Sequence, residues 1–289
     1  KVLAAAGIKV VVSARSLGKL ESLVSEIEAA GGIAKAVKCD VTDGAHVKNL
    51  FAVAKEAYGG VDFVFANAGF EGRQADLTEL EDWEIKQIID INIYGYQITL
   101  KYALPELRAS KGAIVFTGSV AALVPRHIME GAADAVKKVI TYSITKGAND
   151  YLARAGIVFA SEGIRSYGIL PGAFETKMLQ NIVEQQSMES TASMAGFNPV
   201  YGFGTVREPS VGDPKDIGNV LLAMFDNSTT YKVGTTVLAD NDITIAAEVF
   251  YGQLHTPNPD GSGPYTFPLG ENTIRDFRGN PVPAKKDEL

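Results

Sequence analysis

Tyr142 and Lys146 stand four residues apart in the run Tyr142-Ser143-Ile144-Thr145-Lys146, which reads as helix, so their side chains fall on one helical face. An ammonium held about 4 Å from a phenolic oxygen favours the phenolate by a few kcal/mol at an effective dielectric of about 20. That attraction would draw a tyrosine from its ordinary value of about 10 toward neutrality, where an acid/base catalyst has to operate. Other candidate groups gather at the ends of short apolar runs. They are Arg15 after Ser13-Ala14, Asp40-Val41-Thr42-Asp43 after Cys39, Asn67-Ala68-Gly69 after Ala66, Ser119 after Thr117-Gly118, and Pro171-Gly172 with Thr176 after Leu170. In open parallel sheets the ligand sits beyond the carboxyl ends of the strands, so this placement is what a binding crevice requires.

The elements that would carry these groups alternate along the chain. Ile8 to Ala14 is a β-branched run too short for a helix, and Leu20, Leu23, Val24 and Ile27 follow at helical spacing up to Gly31-Gly32. Ala34 to Cys39 and Val61 to Ala66 read as strands, separated by a helix with Val47, Leu50, Phe51 and Ala54 on one face. Further strands are expected at Ala113 to Thr117, Ile164 to Leu170 and Lys232 to Leu238. Strands alternating with helices imply right-handed crossovers and a parallel sheet covered on both faces, an α/β doubly wound domain. The expected organisation is one such domain over 1–241, with 177–213 as a substrate loop or lid, followed by an extension over 242–289. Half of the 12 prolines lie in that extension, which is therefore read as extended rather than helical.

Composition removes several classes of function. Lys plus Arg number 27 against 34 Asp plus Glu, a net charge of -7 with no basic stretch, so nucleic acid is not an expected partner. No apolar run reaches the roughly 18 to 20 residues needed to cross a bilayer. The single cysteine, Cys39, excludes an internal disulfide, and His46, His127 and His255 have no paired metal-ligand spacing, so no metal is expected.

Among 11 tyrosines a Tyr-x-x-x-Lys pair means little alone, and its value lies in an ordered set. With Asp40-Val41-Thr42-Asp43, Asn67-Ala68-Gly69, Asn92, Gly118-Ser119, Tyr142-x-x-x-Lys146 and Pro171-Gly172 to Thr176 in that order, residues 1 to about 240 resemble the short-chain dehydrogenase/reductase family. The resemblance implies a Rossmann-like fold and a catalytic tetrad. In it Tyr142 exchanges the proton with the substrate oxygen, Lys146 also holds the nicotinamide ribose, Ser119 hydrogen-bonds the substrate oxygen and Asn92 anchors a water leading from Lys146 to solvent. It also places Asp40 and Val41 at the adenine, Asn67, Ala68 and Gly69 beneath the adenosine ribose, and Pro171, Gly172 and Thr176 beside the nicotinamide. Plainer roles stand beside these: Thr42 or Asp43 as a helix cap, Asn67-Ala68-Gly69 as a turn, Pro171-Gly172 as the start of a loop. A carboxylate after the second strand of such a fold would bind the 2'-hydroxyl of NAD, whereas Arg15 offers a cation for the 2'-phosphate, so NADP(H) is favoured over NAD(H). The alternative is a solvated Arg15 and poor selectivity.

The sequence departs from the family in three places. The glycine-rich turn TGxxxGxG and the strand before it are missing, since Val2 to Gly7 already read as the end of a helix. Either a normal enzyme has been shortened, or the chain is a degenerate member that binds no dinucleotide; the intact tetrad and the lack of an initiator Met favour the first. Ser119 and Tyr142 are more widely separated than the family spaces them, which puts extra residues between Leu123 and Thr141 beside the pocket. The chain also continues well past the last expected strand, ending in Lys286-Asp287-Glu288-Leu289, the retrieval signal of the endoplasmic reticulum lumen. With the sequon Asn227-Ser228-Thr229, that leaves lumenal and cytoplasmic locations open.

The expected activity is NADP(H)-linked hydride transfer between nicotinamide and a small-molecule secondary alcohol or ketone. Tyr94, Met178, Phe197 and Tyr201 are candidates for an apolar pocket. A homodimer or homotetramer is implied by the resemblance, through the helices carrying Asn92 and Tyr142. The alternatives are an epimerase or dehydratase using the same tyrosine and lysine, and a non-catalytic binding or assembly subunit of the same fold. A serine hydrolase is disfavoured, because no GxSxG occurs.

Overall fold

The computed structural model describes residues 1–122, 137–185, 212–225 and 233–239, with two short strands at 274–275 and 281–282. Much of 123–141, most of 177–213 including Phe197 and Tyr201, the Asn227 sequon and the C-terminal tetrapeptide lie outside them. The chain forms two compact units, Lys1–Val249 and Phe250–Leu289. In the second, β7 (Ile274–Arg275) pairs antiparallel with β8 (Pro281–Val282).

The first unit alternates as the apolar periodicity predicts. Helix α1 (Val2–Ala5) is followed by β1 (Val10–Ala14), α2 (Leu17–Ala29), β2 (Ala34–Lys38), α3 (Gly44–Tyr58) and β3 (Phe63–Ala66). Then come α4 (Asp82–Ile89), a π-helical turn over Asp90–Tyr94, α5 (Gly95–Ser110), β4 (Ala113–Thr117) and α6 (Ile140–Ala155). After these lie β5 (Arg165–Pro171), α7 (Lys177–Gln185), α8 (Pro214–Phe225) and β6 (Thr236–Ala239). All strand pairs in this unit are parallel. The fold is the expected Rossmann-like α/β arrangement.

β4 shows why the strands are read so readily. All five of its residues are buried, and they alternate between two cores. Ile114 and Phe116 join Val47, Phe51, Tyr96 and Leu107 on the side of α3, α5 and α6. Ala113 and Val115 join Val220, Leu221 and Met224 of α8 on the other. A strand sealed on both faces must be apolar throughout, and each large side chain there contributes about 1.5–3 kcal/mol of burial.

The parallel strands form two ladders rather than one: β1 with β2, and β3-β4-β5-β6. The facing edges of β1 and β3 line a common cavity of about 1190 Å³. Helix α6 is fastened to the second ladder by Asp150, 2% exposed, which accepts from Thr236 Oγ1 at 2.6 Å and pairs with Arg154 Nη2 at 2.9 Å. Helix α3 starts at Asp43, whose carboxylate accepts from Ala45 N and His46 N at 2.7 and 3.2 Å, and stops at Gly59 in the left-handed conformation.

Candidate active site

The C-terminal end of β4 is the centre of the site. The Thr117 carbonyl accepts from Lys146 Nζ at 3.0 Å, Tyr96 Oη at 3.1 Å and Asn149 Nδ2 at 3.5 Å. The Thr117 hydroxyl donates to Asn67 Oδ1 at 3.1 Å, joining the end of β4 to the end of β3. Lys146 is only 2% exposed, and its ammonium lies over the Tyr96 and Tyr142 rings at 5.5 and 5.6 Å from their centroids.

Asn92 sits in the π-helical turn, fully buried. Its amide nitrogen donates to Phe70 O at 2.9 Å and Thr145 Oγ1 at 3.0 Å, while Phe70 N donates to its Oδ1 at 2.8 Å. Asn92 thereby binds the loop after β3 to helix α6. A side chain on Gly69 would begin 3.3 Å from Lys146 Nζ and 3.8 Å from Asn92 Oδ1, so a glycine lets the backbone lie against both. Ser119 accepts from Ala121 N at 3.1 Å, and its hydroxyl lies near enough to the Tyr142 phenol to favour the ionised form. Tyr142 is half-buried, with its hydroxyl 4.0 Å from Met178 Sδ on α7. The tetrad expected from sequence is therefore assembled by one helix, one π-helical turn and one strand end.

Its electrostatics run against the simple i, i+4 expectation. Burial pushes the Tyr142 phenol up to about 12; the Ser119 hydrogen bond lowers it, and the charge of Glu71 raises it further. Burial also pushes the Lys146 ammonium down to about 7. The helical spacing brings the two groups together, but it says nothing of the water both lose or of the Thr117 carbonyl that takes the ammonium's hydrogen bond. Desolvation then disfavours both charged forms.

The remaining candidates divide in two. Arg15, Asp40, Val41, Asn67, Ala68 and Gly69 line the cavity between β1 and β3. Asp40 Oδ1 accepts from Thr42 N and Oγ1 at 2.9 and 2.7 Å. The Thr42 N–H holds its carboxyl below the usual carboxylate range, aided by the Thr42 hydroxyl and the Arg15 charge. The helix-cap role left open between Thr42 and Asp43 falls to Asp43. Pro171 and Gly172 end β5, with Gly172 N donating to Ala239 O at 2.8 Å, and Thr176 Oγ1 accepts from Leu179 N at 3.2 Å in the first turn of α7. Gly69 belongs to both groups, since it lines the cavity and touches Lys146.

Sequence reading missed the Thr117 carbonyl, Tyr96, Thr145, Glu71 and Asn181. A backbone acceptor has no signature, Glu71 stands in a loop, and Asn181 lies in a short helix inside the segment read from sequence as a loop or lid. Among the candidates for an apolar pocket, Met178 reaches Tyr142, while Tyr94 is 47% exposed. No three His, Cys, Asp or Glu side chains among the described residues are placed to hold a metal ion, and no helix among them is long and apolar enough to cross a membrane.

Residues 1–187 match the family model for short chain dehydrogenases. An uncharacterized oxidoreductase of Listeria monocytogenes is 36% identical over 222 residues, covering 74% of this chain and 85% of that protein. Cyclohexanol dehydrogenase of an Acinetobacter species is 28% identical over 245 residues, or 84% of this chain and 87% of its own. Among solved structures, levodione reductase superposes with a TM-score of 0.71 at 25% identity, over 83% of this chain and 89% of its own.

Proposed function

The chain belongs to the short-chain dehydrogenase family, and from that premise we propose that it is an NADP(H)-dependent oxidoreductase interconverting a secondary alcohol and a ketone. The observation that carries this reading is the convergence on one strand end of Tyr142, Ser119 and a Lys146 buried to 2% exposure. A group so costly to bury is retained where it has a task. Cyclohexanol dehydrogenase and levodione reductase lend the substrate class further support by name.

In the reductive direction Ser119 hydrogen-bonds the substrate oxygen and Tyr142 gives it a proton; in the oxidative direction Tyr142 takes that proton back. With its phenol pushed up to about 12, Tyr142 is protonated at neutral pH, which suits the donor role. Thr117 O and Asn92 hold Lys146 and Thr145 in place beneath it. A bound nicotinamide dinucleotide supplies the hydride. The residues that would hold it fit: Arg15, Asp40 and Asn67 follow the C-terminal ends of β1, β2 and β3, and Gly69 leaves the backbone open beside Lys146. Asp40 and Val41 would meet the adenine, Asn67, Ala68 and Gly69 the adenosine ribose, Arg15 the 2'-phosphate, and Lys146, Pro171, Gly172 and Thr176 the nicotinamide end.

The split between β1 and β3 bears on this reading. A further strand pairing with both edges, ending in a glycine-rich phosphate-binding turn, is the completion it calls for. The same split favours a second reading, a non-catalytic binding or assembly subunit. Titration of the full chain with NADPH and NADH, followed by nicotinamide fluorescence, separates the two. Tighter binding of NADPH supports the oxidoreductase and Arg15 as its selector; absence of binding to either, also with such a strand supplied, points to the non-catalytic subunit.

We also propose a homodimer or homotetramer. Ile144 and Tyr151, two turns apart on α6, are 62% and 68% exposed, with Ile157 and Val158 just beyond, while Trp83 on α4 is 64% exposed. Apolar surface of this kind is what a subunit contact covers. Light scattering giving a monomer mass would rule the assembly out.

A further inference from the structure

Lys146 carries its charge into surroundings that offer it few polar partners. Its ammonium has three N–H donors, and among the described residues it uses one, to Thr117 O at 3.0 Å. No carboxylate among them pairs with it. Asp150, one helical turn further along α6, is taken up by Thr236 and Arg154, and Glu71 in the loop after β3 accepts from Asn181. Gly69 approaches Nζ without a side chain. Burial of this kind favours the neutral amine unless some other feature of the site favours the cation.

That feature is aromatic. Nζ lies over two rings, 5.5 Å from the centroid of Tyr96 and 5.6 Å from that of Tyr142. The face of an aromatic ring is negative, and its attraction for a cation grows where water is excluded. The two rings differ in role. Tyr142 is the group that gives up or takes a proton in the proposed reaction. Tyr96 is 1% exposed, and burial pushes its phenol well above the ordinary range, so it presents a neutral ring throughout.

The sequence fixes that ring from three sides. Gly95 lets the start of α5 lie against Val41, where a side chain would begin 2.9 Å from Val41 Cγ2. On β4 the Tyr96 ring stacks with Phe116, their centroids 6.2 Å apart. Its hydroxyl donates to Thr117 O at 3.1 Å, the same atom that holds the ammonium. Packing alone would be met by a phenylalanine; the hydroxyl ties the ring to the acceptor of Lys146 and so sets its face beside Nζ.

The titratable groups that face Lys146 among the described residues are therefore Tyr142 from its own helix and Tyr96 from α5, with Asp150 and Glu71 engaged elsewhere. We propose that Tyr96 is a positioning residue for Lys146: its ring face keeps the ammonium charged and seated at Thr117 O, in a site that supplies it no carboxylate. The lysine's action on Tyr142 then depends on a side chain that touches neither substrate nor cofactor.

The inference rests on Lys146 serving Tyr142 as proposed above, but its test reads the ammonium directly and needs no turnover. The full chain is labelled with ε-13C lysine, the Lys146 resonance is assigned by its loss in Lys146→Met, and its titration is followed through the neutral and alkaline range. Tyr96→Phe keeps the ring and removes the hydroxyl. Phenylalanines bearing one, two and three fluorine atoms, placed at position 96, keep the ring and nearly its volume while draining negative charge from its face. The Lys146 midpoint is expected to change little in Tyr96→Phe and then to fall stepwise along the fluorine series, by about one pH unit in all. A flat series overturns the proposal. So does a fall in Tyr96→Phe as large as that expected of the whole series, which would assign the effect to the hydroxyl. Turnover of Tyr142→Phe reads the underlying assignment separately: an inactive variant beside a flat series sinks the role of Tyr96 alone, and near-normal turnover sinks the catalytic role of the pair that Tyr96 would serve.

Discussion

The two ends of the crevice are built on opposite principles. Around Thr117 the polar groups are buried and satisfy one another: Lys146, Tyr96 and Asn149 share a carbonyl, and Asn92 uses both ends of its amide on Phe70 and Thr145. Around Arg15 the side chain is exposed, Asp40 accepts from its near neighbour Thr42, and the edges of β1 and β3 face a cavity rather than each other. On the proposed function the first end needs groups held in place before substrate arrives, because such a reaction tolerates little misplacement. The second needs room and charge for a ligand that brings its own hydrogen-bonding groups. Buried, mutually satisfied polar groups are concentrated at the first end, where the proposed proton transfer would take place.

The sharpest way to break this contrast is Tyr142→Phe. It removes the reactive hydroxyl and leaves the cavity lining untouched, so turnover should fall by about 100- to 10,000-fold while NADPH affinity holds. Steady-state rates and a fluorescence titration check the two halves, and a parallel loss of both would dissolve the division. Next in size is Asp150→Ala, which takes the buried carboxylate from Thr236 and Arg154 and should cost about 3 kcal/mol of stability by urea unfolding. An effect near zero would show that the floor of the site owes little to this junction.

A smaller effect lies in the pH dependence of stability. Lys146 is lowered to about 7 from a lysine's ordinary value of 10.5, so between those values the unfolded chain binds more protons than the folded one. Stability from this group is then lost as pH falls through 7 and rises with pH above it, by about 1 kcal/mol per unit at most. Melting temperatures from pH 6 to 9.5 should show a rise that Lys146→Met abolishes; equal slopes would mean the lysine is better hydrated than its burial indicates. Smallest is Arg15→Ala, expected to weaken NADPH about tenfold and leave NADH unchanged, as loss of one charge-assisted phosphate contact. Equal weakening of both cofactors would deny Arg15 a selective role.

Most of the architecture could be read from the residues because its signals are local. Val10 to Ala14 and Ala113 to Thr117 are short, largely apolar runs with glycine close at hand, and both form parallel strands. The nearness of the candidate groups was legible for a related reason: Tyr142 and Lys146 are tied by helical spacing, and Ser119 follows closely on a strand. What escaped was whatever depends on the assembled environment. The Thr117 carbonyl has no side-chain signature, Glu71 acquires its partner from a helix far along the chain, and the ionisation of Tyr142 follows from water lost on packing.

The π-helical turn at Asp90–Tyr94 has a further consequence, for the ancestry and engineering of the site. Such a turn amounts to one residue inserted into an otherwise regular α-helix. Deleting a residue there would restore an unbroken helix from α4 into α5 and reorient the side chains of the turn itself. The helix itself would be the better for it, while Asn92 would turn away from Phe70 and Thr145 and the loop carrying Glu71 would lose its anchor. Consensus design that trims irregularities would be drawn to that deletion, and would thereby exchange a working arrangement for a tidier scaffold.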